Sequence, residues 1–175
     1  MDELRYPIGL FTYEGPYTPE QRTQLINNLA LIPGQYRQAV EGLSEDLLEI
    51  PYREGGWTIR QVVHHVADSH MNGYIRTKLA LTEANPTIKP YEEARWAELG
   101  DTFHTPIQES LDLLQHLHVR WANVFRAMQE ADYQKTFFHP GSQQSVTLDY
   151  QLGNYDWHSR HHLAHITSLR ERMGW

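Results

Sequence analysis

Trp157-His158-Ser159-Arg160-His161-His162-Leu163-Ala164-His165 holds four of the chain's eleven histidines. It lies in a longer stretch where Leu152, Tyr155, Ser159, His162, Ile166, Leu169 and Met173 recur at alternating steps of three and four, the spacing of one helical stripe. At about 100° per residue, His162 falls near the middle of that stripe, with His158 ~40° to one side, His165 ~60° and His161 ~100°. His158 and His162 sit four residues apart and stack one turn above the other on the inward face. Two imidazoles so placed can hold one divalent metal, and a third ligand has to come from another helix. His161 and His165 form a second pair of the same spacing, read as outer face and supporting positions, with His165 as the substitute for a named ligand.

Three other stretches announce helices. Thr18-Pro19-Glu20-Gln21, Thr58-Ile59-Arg60-Gln61 and Thr105-Pro106-Ile107-Gln108 each read as a capping box, the first and third with proline at the first helical position. Thr147-Leu148-Asp149 is a fourth start without the glutamine. These starts predict long helices at 19–42, 58–83, 106–130 and 148–173, with Pro33-Gly34 kinking or breaking the first. Between them, Ser44 to Gly56 predicts a short helical turn at Glu45–Leu48 and a stop at Gly55-Gly56. The connection from Asn85 to His104, about twenty residues, has the length of a crossover or a functional loop. Ala131 to Val146, with Phe137-Phe138-His139-Pro140-Gly141, reads as a small hairpin or an irregular flap. No βαβ alternation is present. The fold class is all-α: one domain over residues 1–175, a four-helix bundle with long decorated loops.

Composition narrows the function. Hydrophobic residues at 40% and charged residues at 21% are globular values. A net charge of −7 argues against nucleic acid as a partner. No apolar run is long enough for a membrane span, and Met1-Asp2-Glu3-Leu4-Arg5-Tyr6-Pro7 lacks the apolar core of a signal peptide, so a cytoplasmic location is expected. With no cysteine, any metal must rest on His, Asp or Glu.

The third ligand is sought on the second helix, whose apolar face is marked by Ile59, Val62, Val63, Val66, Tyr74 and Ile75. With Val62 at zero, the apolar centre falls near 50°, His65 at about −60° and His64 at about 200°. His64 is therefore expected in solvent and His65 at the core edge. His70, near 80°, rivals His65 by angle; His65 is favoured by its place in the second turn after Gly55-Gly56-Trp57, near the end of the bundle. Because histidine binds metal only when neutral, affinity is expected to fall below about pH 6.5.

Trp57, His65, Ala67-Asp68 and His158-x-x-x-His162 together resemble the DinB-like family of metal-binding four-helix bundles. The match is closer to its YfiT branch, known as metal-dependent hydrolases and bacillithiol S-transferases. Pro51-Tyr52-Arg53-Glu54-Gly55-Gly56-Trp57-Thr58, Arg60-Gln61-Val62-Val63-His64-His65, Asp68-Ser69-His70-Met71-Asn72, Phe138-His139-Pro140, Trp157-His158-Ser159 and His161-His162-Leu163-Ala164-His165-Ile166-Thr167 carry the likeness, which covers essentially the whole chain. The resemblance implies three histidine ligands, matching His65, His158 and His162, a zinc or nickel ion with zinc ahead, and a homodimer. Pro86, Pro90, Tyr91 and Trp96 in the long loop offer apolar groups for that dimer.

Three neutral imidazoles leave a divalent cation open to a fourth ligand, either water or a small thiol. In His161-His162-Leu163-Ala164-His165 the place of the glutamate of an H-E-x-x-H motif is taken by His162. Asp68 points away, near −120°, and Glu54, Asp149 and Asp156 are unsupported as bases. A thiolate needs no base, which tilts the reading to transfer of a low-molecular-weight thiol to an electrophile, with hydrolysis by water as the alternative and a non-catalytic metal-binding stress protein as a third. Asp68 and Tyr155, one turn before His158, are the candidate catalytic groups, Tyr155 as a hydrogen-bond donor into the site. Arg53, Arg60 and Arg160 are candidate cations at the rim for an anionic thiol. Trp57, Trp121 and Trp157 are expected in the core.

Overall fold

The computed structural model describes residues 3–175. Four long helices form the body: α1 (Pro19–Val40), α3 (Ile59–Thr82), α6 (Ile107–Ala127) and α7 (Leu148–Met173). Between α1 and α3 lies the one-turn helix α2 (Glu45–Leu48). Between α3 and α6 lie α4 (Glu93–Trp96) and α5 (Gly100–His104), and this is the longest of the three connections. A 3₁₀ turn (Glu130–Gln134) and an antiparallel hairpin, β1 (Thr136–His139) with β2 (Gln144–Thr147), link α6 to α7. The all-α bundle with decorated loops is therefore what the chain adopts.

Two of the expected capping boxes form. Thr18 and Gln21 bond each other's backbone at the start of α1, as do Thr58 and Gln61 at α3, each a cap that typically adds about 1 kcal/mol. Thr147 caps α7 by accepting from the Tyr150 amide. The third box does not form. Thr105 closes α5 instead, and α6 starts after Pro106 without a side-chain cap. Pro33 does not break α1, which runs through it unbroken. Leu29, Ile32 and Tyr36, on either side of it, are wholly buried, and their packing outweighs the local preference.

The helices are not neighbours in chain order. α1 packs against α6 and α7, and so does α3, leaving α1 diagonal to α3 and α6 diagonal to α7. The core runs along this square, from Ile59, Val63, Leu114 and Ile166 at one end to Trp121, Phe125 and Leu152 at the other. Gly73 sets the approach of α3 to its neighbours: a Cβ there would lie 2.4 Å from Tyr155 and 2.6 Å from Trp121. The missing side chain lets Tyr155 pack closely against α3, next to His158. In the long connection, Tyr91 and Trp96 are half-buried and pack on each other at 4.5 Å. Leu99 and Phe103 are the large hydrophobic side chains exposed there, and Pro90 is exposed as well. No helix among the described residues is long and apolar enough to cross a membrane.

Candidate metal centre

The α7 stripe faces α3 near its N-terminal end. There His65, His158 and His162 each bring a ring nitrogen to within 4.8 Å of the others. Their ring centroids are 4.5 Å apart for His158 and His162, 4.8 Å for His65 and His162, and 5.5 Å for His65 and His158. Trp57, expected in the core, is partly buried against it and also covers this group, 4.5 Å from His65 and stacked at 6.1 Å on His162. Burial, followed by the charges of His161 and His165, pushes His65 down to about 4. Burial, followed by neighbouring histidine charges, holds His158 and His162 well below the usual imidazole range. All three are neutral at pH 7 with lone pairs to give, and the Nδ1 of His162 is buried without a hydrogen-bond partner. A convergent set of neutral nitrogen donors fits a divalent cation. These shifts also correct the expected acid limit, since the rings resist protonation to well below pH 6.5.

The group opens into a cavity of about 460 Å³ lined by Arg5, Tyr6, Tyr52, Arg53, Trp57, Glu93, Trp157 and the α7 histidines. No fourth His, Asp or Glu joins the three among the described residues. His161 and His165 do not lie on the outer face. Both are buried and line the same cavity, and with His162 they make a second close triple. His165 stacks on Tyr52 at 3.8 Å, and its Nε2 lies 3.1 Å from the Arg5 carbonyl. Trp157 stacks on His161 at 4.6 Å and donates to the Gly9 carbonyl. Only Trp121 is a core tryptophan, fully buried and bonded to Thr77.

Several sequence candidates sit elsewhere. His64 is not in solvent. The α5–α6 corner covers it, with Nδ1 2.7 Å from the Ser110 hydroxyl and Nε2 3.2 Å from the Thr105 carbonyl. His70 is fully buried behind His158 and outside the cavity. Its Nε2 lies 3.3 Å from Nδ1 of His158 and its Nδ1 2.7 Å from Nε2 of His118. Arg60 is buried and held by Glu45 and Glu49, away from the cavity. Arg160 pairs with Asp156 on the outer side of α7. Of the three candidate rim arginines only Arg53 lines the cavity, and Arg5 joins it from the N-terminal segment. The Tyr155 hydroxyl does not donate into the site; it donates to the Ser69 carbonyl at 3.0 Å. Asp68 is half-buried outside the cavity, its carboxyl raised to about 6 by burial and by Asp101.

Glu93 is the group sequence reasoning missed. It sits in α4, exposed, and lines the same cavity as the α7 histidines. Burial raises the Tyr155 hydroxyl, and the nearby Glu93 charge adds to that effect. The sequence signal was only the length of the loop. A four-residue helix has no periodicity to show which side chain faces inward.

The chain belongs to the DinB superfamily, whose family model matches residues 29–166. Along its full length it is 53% identical to a protein of Bacillus mycoides (strain KBAB4) and 52% identical to one of Bacillus cereus (strain AH820), each covered completely and each named "Putative metal-dependent hydrolase". Among solved structures it is similar to YfiT from Bacillus subtilis, described as "a probable metal-dependent hydrolase with an unusual four-helix bundle topology". That likeness has a TM-score of 0.97 and 48% identity over 99% of each chain. The diagonal placing of α1 and α3 is the departure from an up-and-down bundle.

Proposed function

We propose that this chain is a metal-dependent hydrolase, with one divalent ion held by His65, His158 and His162 and with Glu93 as the general base. The observation that carries the proposal is that Glu93 lines the same cavity as His158 and His162, which form the close triple with His65. The names of the full-length relatives support it. When bound, such an ion supplies Lewis acidity and lowers the pKa of water or of a thiol. The chain's own part is to keep three imidazoles neutral by burial, to shield them with Trp57 and to offer Glu93 as a proton acceptor at the open side. Zinc suits an all-nitrogen set with an open position, and nickel accepts the same donors. A position left without a fourth protein ligand speaks for chemistry over a purely structural metal. Glu93→Gln should lower metal-dependent turnover of an ester, amide or phosphate panel by 10²–10⁴-fold while leaving bound metal unchanged. Full turnover in that variant would remove Glu93 from its role.

Transfer of a low-molecular-weight thiol to an electrophile is the second reading, favoured by Arg5 and Arg53 on the cavity wall, which suit an anionic thiol. A sulfur charge-transfer absorption on adding small thiols to the cobalt-loaded protein, with conjugation to a halide or epoxide, would put this reading first. A homodimer completes the proposal, with Leu99 and Phe103 as its exposed apolar groups. Light scattering showing only a 20.5 kDa particle at micromolar concentration would count against it.

A further inference from the structure

Behind the metal centre, three histidines run in series. His118 Nδ1 lies 2.6 Å from the Leu29 carbonyl oxygen. His118 Nε2 lies 2.7 Å from His70 Nδ1, and His70 Nε2 lies 3.3 Å from His158 Nδ1. Each contact joins one ring nitrogen to another, so the protons have to be shared out in one direction or the other. The carbonyl at the end decides. It can only accept, so His118 Nδ1 carries a proton. His118 and His70 are fully buried and have no carboxylate in contact, their ring neighbours being Trp121 and Tyr155; a second, charging proton on either ring is disfavoured there. His118 Nε2 must then accept, His70 Nδ1 must donate, His70 Nε2 must accept and His158 Nδ1 must donate. The Nε2 of His158 is left as a lone pair.

The carbonyl is available for a reason written in α1. In an α-helix the oxygen of residue 29 would take the amide hydrogen of residue 33. Residue 33 is proline and has none. Pro33, the apparent fault in the middle of α1, leaves Leu29 with a buried acceptor that needs a donor, and His118 of α6 supplies it.

We infer that Pro33, the Leu29 carbonyl, His118 and His70 form a directed hydrogen-bond chain that sets His158 in its Nδ1–H tautomer, so that Nε2 is presented to the metal. His118 and His70 are positioning residues, reaching the site only through His158. The inference rests on the proposed function for the metal, but not for the tautomers, which exist without it.

The test begins with the metal-free protein. Long-range proton–nitrogen NMR should show Nδ1–H on His70, His118 and His158. An Nε2–H on His70 or His158 would overturn the chain whether or not metal binds. If the tautomers are as expected and zinc still fails to bind, the chain stands and the metal reading falls. His118→Leu removes the acceptor for His70. His158 should then take up the Nε2–H tautomer and zinc affinity should drop 10–100-fold, the usual loss when a ligand's supporting partner is removed. His118→Gln restores an amide oxygen as acceptor and should recover most of that affinity, although it disturbs the same packing. A His118→Leu protein that keeps its His158 tautomer and full affinity would refute the assignment. Pro33→Ala returns a competing amide to Leu29; it should weaken zinc binding several-fold in a protein at least as heat-stable as the parent. Unchanged affinity there would take Pro33 out of the chain.

Discussion

Two clusters of buried polar groups lie on α7, and they are built differently. At the N-terminal end, the Asp149 carboxylate is fully buried and saturated with donors. It accepts from the Tyr13 hydroxyl at 2.7 Å, the Tyr17 amide at 2.9 Å and Arg22 Nε at 2.6 Å. Arg22 continues to Glu130 and lies 4.2 Å over the Tyr133 ring, with only its Nη2 left over. About three to four turns further on, His161, His162 and His165 are also buried, yet each keeps an Nδ1 without a partner. The first cluster ties the N-terminal segment, α1 and α7 together. The second leaves these three ring nitrogens uncommitted, at the edge of an open cavity. Buried polar groups that are satisfied hold a fold together, and those left without a protein partner require a water, an ion or a chemical role to account for them.

The contrast can be broken most sharply by single substitutions. His65→Ala, His158→Ala or His162→Ala should each remove tight zinc binding, as judged by metal content after gel filtration, with the fold retained. His64→Ala, whose ring faces Ser110 and Thr105, should keep its metal. Equal metal loss in the His64 and His65 variants would mean that the register of α3 is misassigned. Asp149→Ala should do the reverse. It strands the buried Arg22 and should cost about 3–5 kcal/mol in urea unfolding, with zinc affinity unaltered.

Acid should separate the clusters next. Burial holds His65 and His118 at about 4 in the folded protein, against about 6.5 in the unfolded chain. A depressed histidine contributes stability that is complete above the unfolded value and is lost as pH falls through the folded one. The metal-free protein should therefore lose stability between about pH 6.5 and 4, with His118 alone accounting for on the order of 3 kcal/mol. A flat urea midpoint across that range would show that the rings are not neutral and buried. The smallest of these effects belongs to the packing between the clusters: Gly73→Ala should cost about 1–3 kcal/mol in urea unfolding, because Tyr155 and Trp121 must move.

The sequence made the four helices legible because their starts depend on local chemistry. Thr18, Thr58 and Thr147 bond to amides within three residues, and such signals do not need the rest of the fold. Thr105 failed as a start because a short helix that ends at His104 claimed it. The facing of His65, His158 and His162 could be read for the same reason: azimuth follows from spacing on a single helix. What lies opposite a face could not. His64 lost its solvent to α5 and α6, and Arg60 was captured by two glutamates of the α2 turn. Glu93 reached the cavity through a loop with no register of its own. The link from Pro33 to His118 needs the packing of α1 against α6, which chain order conceals because the bundle places α1 and α3 on a diagonal.

X-ray absorption on the zinc-loaded protein tests the central claim most directly. The account predicts one zinc per chain, with three imidazole nitrogens at about 2.0–2.1 Å and a further light atom from solvent, and one imidazole lost in each of the His65→Ala, His158→Ala and His162→Ala proteins examined at saturating zinc. A zinc shell that keeps all three imidazoles when His65 is removed, or one closed by a fourth histidine, would contradict it.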